Sequence, residues 1–164
     1  MPINKFITYL ILIINIGPIF AVQEVAVPAA LTDAALHDAA RVLKPGGTLI
    51  LSTPNLACLP NRLLLALGIQ PLFTEVSEEV VLGRRLRVLG QGGQPVGHLR
   101  VYTKPALLEF LTRQGFQVVR LHGVPFHEVG LLSLIEKATS IIPGLAMIFV
   151  VVARKPRDAA APPG

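Results

Sequence analysis

Residues 41–55, RVLKPGGTLILSTPN, constrain this chain more than any other stretch. Pro45 disfavours helical geometry at Lys44, and Gly46 and Gly47 can take the positive-φ conformations that a sharp reversal needs. A helix arriving from the N-terminal side must stop there. The run that follows, TLILS, is apolar without polar alternation, the pattern of a parallel strand covered on both faces. Upstream, Thr32 can accept from the exposed amides of a first helical turn, and Asp33 lies at the positive end of the dipole. Leu36, Ala39, Ala40 and Leu43 then form one apolar stripe. Helix, tight turn and buried strand make the αβ half of a βαβ unit, with Pro18 to Val22 (PIFAV) as the expected preceding strand and a turn around Pro28.

Downstream the alternation continues after an irregular insertion, residues 56–99. The insertion contains a short leucine-rich helix from Asn61 to Leu67, stopped by Gly68, then the acidic TEVSEE, the basic GRRLR and the glycine-rich GQGGQPVG. It reads as a lid or connector. Thr103 can cap a helix with Pro105 in its first turn, Leu107, Leu108 and Leu111 inside and a Glu109–Arg113 pair outside, ending at Gly115. FQVVRLHGV is the next expected strand. A helix over about Val129 to Ile142 carries Leu131, Leu134, Ile135, Ala138 and Ile142 on its expected inner side, and AMIFVVVARK is the closing buried strand. Residues 157–164 read as a disordered tail.

The chain has 164 residues, 52% of them hydrophobic, which fits one domain with a packed core. Its formal charge is +5, but the densest basic group (Arg84, Arg85, Arg87) has no neighbouring aromatic on which bases could stack, so nucleic acid is not an expected partner. The single cysteine, Cys58, excludes an internal disulfide and is compatible with a reducing, cytoplasmic compartment. No His or Cys stands near it at metal-ligand spacing, and no metal is expected. At the N-terminus, Lys5 precedes 17 uncharged residues, Phe6 to Val22, interrupted by Asn15, Gly17 and Pro18. That run, set apart as a hydrophobic segment over residues 1–17, is open to three readings. They are a buried strand, a signal segment, or a short spanning helix giving membrane association through residues 6–22.

The segments AARVLKPGGTLILSTPN and HLRVYTKPALLEFLTRQGFQVV, followed by a terminal apolar strand, resemble the C-terminal half of a class I, Rossmann-like S-adenosylmethionine-dependent methyltransferase. PIFAVQEV resembles that family's fourth strand and the Glu-Val after it, so the likeness covers roughly residues 18–155, within an α/β domain set at 18–156. It implies an α/β fold: a partial sheet of the fourth to seventh strands with flanking helices, cut from a family order 3-2-1-4-5-7-6. It also implies S-adenosylmethionine as cofactor and a small-molecule substrate received partly by the insertion. The candidate cofactor contacts are Gln23 and Glu24. The candidate substrate contacts are Asn55, His98 and Tyr102, with His98 also the candidate general base on a hydroxyl awaiting methylation.

The family's cofactor motif is missing from this sequence. It consists of a G-x-G-x-G loop after the first strand, whose amides approach the ligand, and an acidic residue ending the second strand. Gly90-Gln91-Gly92-Gly93 does not join an apolar strand to a helix, and Pro95 follows it, so it reads as a flexible turn. Pro28 stands where the family often has histidine after Glu-Val. Two functions are therefore carried forward. One is a truncated methyltransferase-like protein that does not bind cofactor alone. The other is a non-catalytic α/β remnant or membrane-associated interaction module. A sheet lacking three strands leaves the fourth as an unpaired edge, to be covered by a partner chain or by residues 3–16. His37 lies on a helix face, and His122 and His127 flank a Gly-Val-Pro turn.

Overall fold

The computed structural model describes residues 10–15, 21–26, 32–77, 79–83, 100–127 and 131–157, the first two segments as backbone. The first helix, α1 (Asp33–Val42), begins where the Thr32 hydroxyl accepts from the Ala35 amide at 3.2 Å. It buries Leu36 and Ala39, and Leu43 follows them into the core. Its stop is the expected one: Leu43 is already extended, Gly47 N–H donates to Lys44 O at 2.8 Å, and Gly46 alone takes the left-handed conformation, at φ +80°. Lys155 locks this turn from the far end of the chain. Its backbone bonds Gly46 N and Gly47 O, each at 2.9 Å, while its ammonium donates to Ala40 O (2.6 Å) and Leu43 O (2.9 Å). Those carbonyls are among the acceptors a helix end leaves without partners.

The chain then enters β3 (Thr48–Pro54). This strand pairs antiparallel with β5 (Ile148–Arg154) from Thr48↔Arg154 to Pro54↔Ile148, and β5 pairs antiparallel with β4 (Gln117–Val124). On the other side of β3 lies β1 (Leu10–Asn15), antiparallel to it, and beyond that β2 (Ala21–Ala26), antiparallel to β1. The architecture is mixed α/β: an open antiparallel sheet, β2-β1-β3-β5-β4, with packed helices. α1 and α3 (Lys104–Arg113) contribute Leu36, Leu107 and Leu111 to the main core, against Leu49, Leu51, Phe149 and Val151 of β3 and β5. The Thr103 cap and the Glu109–Arg113 pair of α3, at 2.8 Å, occur as the sequence predicts. α2 (Leu59–Ala66) ends at Gly68, φ +65°, and brings Leu64 into a second cluster with Cys58, Ile69, Leu72, Met147 and Ile148.

Three sequence expectations are corrected. β3 lies in antiparallel ladders on both sides, not in a parallel one; among the described residues the one parallel contact is the isolated Asn55↔Tyr102 bridge just past its end. Strand direction is set by which segments intervene, and the unbroken apolar run does not record burial of both faces either: Leu49, Leu51 and Thr53 are buried, while Thr48, Ile50 and Ser52 on the other face are only partly covered. Here β1 and β5 separate β3 from β2 and β4, which run in its own sense. Second, of the strand expected at Pro18 to Val22 only Ala21 and Val22 are described, within β2, which sits one place away from β3 because β1 occupies the position between them; residues 16–20 lie outside the described residues. Third, α4 (Leu131–Ser140) is turned over. Leu131, Leu134, Ile135, Ala138 and Ile142 are exposed, and the helix buries Ser133 and Glu136.

No helix among the described residues is long and apolar enough to cross a membrane. Residues 6–9, the Gly90–Gly93 turn and residues 158–164 lie outside the described residues.

Candidate functional site at the carboxyl end of the central strand

The junction leaving β3 brings together two residues that the sequence singles out, Asn55 and Tyr102, through the bridge between them. Asn55 stands there, fully buried. Its backbone amide donates to Met147 O at 2.9 Å. Its Nδ2 donates to Ala146 O (2.8 Å) and Gly144 O (3.2 Å), and its Oδ1 accepts from Ala57 N at 2.9 Å. Every polar atom of that side chain is thus engaged with backbone. Asn55 braces the β3-to-α2 turn against the 3-10 turn Pro143–Leu145, which is the task the structure shows for this substrate candidate. Asn61 repeats the device one turn later, donating to Leu56 O (3.0 Å) and Leu72 O (3.2 Å) and accepting from Leu72 N (2.6 Å).

Tyr102 is brought to the same place, its carbonyl accepting from Leu56 N at 2.9 Å. Its ring is half-buried and stacks on Phe110 with centroids 5.6 Å apart and planes 12° from parallel. Burial holds the phenol above its usual pKa. The remaining candidates are not gathered here. Gln23 and Glu24 lie in β2, two strands from β3 and level with Leu49 and Ile50. At ~3.3 Å of rise per residue that is on the order of 16 Å short of Asn55 along the sheet. His98 lies outside the described residues.

A different pair occupies the end of β4, which is level with the end of β3 because Val124 and Pro54 both register with Ile148. Glu136, turned inward on α4, accepts the Phe126 and His127 amides with Oε2, at 2.7 and 2.8 Å. Its Oε1 lies 2.7 Å from His127 Nδ1. An ionised carboxylate only accepts, so Nδ1 carries the hydrogen and Nε2 of a neutral ring is left as the acceptor. Nε2 has no partner among the described residues, and the side chain is 35% exposed. Chemically this is an imidazole of fixed tautomer, able to take a proton from a bound hydroxyl or amine. Sequence reasoning missed the pair: the residues are nine apart, and the position of Glu136 opposite the Leu131–Leu134 stripe reads as solvent-facing. The single acid of a helix whose other charge is Lys137 was the available signal.

The described residues do not fit S-adenosylmethionine. The left-handed glycines Gly46, Gly68, Gly83 and Gly115 all lie outside strand-to-helix turns, and the one such turn leaving β3, Asn55 to Cys58, spends its polar atoms on its own braces. The orphaned buried hydroxyl, Thr53 Oγ1, is enclosed on the core face opposite Phe149 and opens onto no cradle. Cys58 is buried, and desolvation, helped by the nearby Glu136 charge, pushes its thiol up to about 11, so it is not a thiolate nucleophile. No group of three or more metal-ligating side chains occurs among the described residues. No family model matches the chain, and no curated protein matches it.

Proposed function

We propose that this chain is the substrate-side portion of an S-adenosylmethionine-dependent methyltransferase-like protein, and that its own residues do not bind the cofactor. The observation that carries the reading is the strand order β3-β5-β4. With β3 taken as the family's fifth strand and β4 and β5 as its sixth and seventh, that order corresponds to the 5-7-6 segment of the arrangement implied by the resemblance. The helix–Lys-Pro-Gly-Gly–strand turn, pinned by Lys155, supports it at the position where the likeness is most specific. In this reading the acceptor molecule lies beyond the ends of β3 and β4, bordered by Tyr102 and by His127. Methyl transfer from a sulfonium depends chiefly on aligning the nucleophile with the methyl group, so His127 assists and is not indispensable.

The test begins with the reading frame immediately upstream. A methyltransferase half carrying G-x-G-x-G is expected there, and co-expressed with this chain it should bind S-adenosylmethionine in a calorimetric titration. This chain by itself should give no heat at millimolar ligand. A chain that binds the cofactor unaided, or an upstream frame without such a loop, refutes the reading.

A further inference from the structure

The inverted helix α4 leaves an unusual surface. Leu131, Leu134 and Ile135 are 74%, 64% and 49% exposed, and Ile141 and Ile142 extend the same stripe past the helix end. A monomer rarely leaves such a contiguous apolar patch to water. α2 reaches toward it through Arg62, which donates to Gly144 O just beyond Ile142 at 3.4 Å, and α2 leaves its own Leu63 and Leu67 exposed. We propose that this α2/α4 surface docks the protein on an anionic lipid bilayer, with α4 lying in the interface plane.

Charge selects the occupant. The only acid of α4, Glu136, is buried, and α2 has none, so the exposed charges of the two helices are Arg62 and Lys137, both positive. The chain as a whole carries +5. A cation-rimmed aliphatic stripe complements anionic headgroups above an acyl layer. A protein partner fits less well. Interface hot spots favour aromatic anchors, and this surface offers none, its large exposed hydrophobic residues all being Leu, Ile or Val. The surface lies on the bilayer and does not cross it, since no described helix is long and apolar enough. This inference stands independently of the methyltransferase reading.

The experiment is sedimentation of the whole chain with sucrose-loaded vesicles of phosphatidylcholine, with or without a quarter phosphatidylglycerol. Binding is expected to the anionic vesicles and to weaken with salt. The double substitution Leu134→Glu/Ile135→Glu should abolish it. Lys137→Glu, which touches no core contact, changes the surface charge by two and should weaken it roughly thirtyfold, from ~1 kcal/mol per surface charge. Binding that survives the double substitution would overturn the proposal, because residues 6–22 would then be the anchor. So would no vesicle binding at all, or light scattering that finds a dimer which the double substitution converts to monomer while vesicles take up neither.

Discussion

Replacing Glu136 with alanine tests the one buried charge of the candidate site. Its carboxylate receives three hydrogen bonds, from Phe126 N, His127 N and His127 Nδ1, all between 2.7 and 2.8 Å. A hydrogen bond to a charged group contributes about 1.5–3 kcal/mol, but this loop is only partly buried and water can replace some of the lost acceptors, so the expected destabilisation is about 3–5 kcal/mol. Glu136→Gln retains one acceptor oxygen for the two amides and turns its NH2 toward Nδ1, which can accept by switching tautomer; its expected loss is about 1–2 kcal/mol. His127→Ala removes one hydrogen bond and the edge-on packing of the imidazole against Phe126, at 4.9 Å, for a similar loss of about 1–2 kcal/mol. Urea unfolding followed by circular dichroism gives the three values. Hydrogen exchange at the Phe126 and His127 amides locates them. If Glu136→Ala loses less than about 1 kcal/mol, or leaves both amides as protected as before, the carboxylate does not hold this loop and the reason offered for its burial is wrong.

Three further expectations concern the frame around the site. Asn55→Asp places a carboxylate oxygen against Ala146 O and Gly144 O, where an amide had donated, and should lower stability by about 3 kcal/mol or more, with Asn55→Ala somewhat milder in thermal melts. Gly123→Ala drives a Cβ into Ala146 Cβ and to within 2.8 Å of Ser140 O, where backbone cannot yield, so a loss of more than about 2 kcal/mol is expected by urea denaturation. Burial raises the Cys58 thiol from 9.0 to about 11. Between those values the unfolded chain has released a proton that the folded chain still holds, so stability is full below the lower value and declines as pH rises through the window, by on the order of 2–3 kcal/mol in all. Other groups titrate there too, so the quantity to measure is the difference from Cys58→Ala, which should lack this decline.

What was legible in the sequence was local. Thr32, Pro45 and the Gly46–Gly47 pair determine their own backbone conformations, and both ends of α1 fall where they dictate. Leu107 and Leu111 fall inside α3 because its stripe and cap agree. Strand direction was not legible, because TLILS would be equally apolar in either kind of ladder. The site was legible only in part: Asn55 and Tyr102 do meet, through the bridge that closes the β3 end, but the demand of the 3-10 turn for donors comes from residues about ninety positions away. The His127–Glu136 pair depends on a loop conformation that no spacing rule encodes.

α4 marks the sharper limit. Helical period fixes which residues share a face but not which face turns inward, and the two faces of this helix make competing claims. The inward side satisfies two amides and an imidazole through Glu136, for about 3–5 kcal/mol. The outward side leaves five large aliphatic residues half to four-fifths exposed, and at about 1.5–3 kcal/mol for a fully buried side chain this forgoes on the order of 5–10 kcal/mol. In water the outward side forgoes the larger amount, which is the free energy that covering the stripe would return. An apolar layer against the outward face returns most of that difference while leaving Glu136 in place, so both claims are met at once only when the surface is covered. The orientation of α4 and the docking of its stripe on a bilayer are therefore one hypothesis.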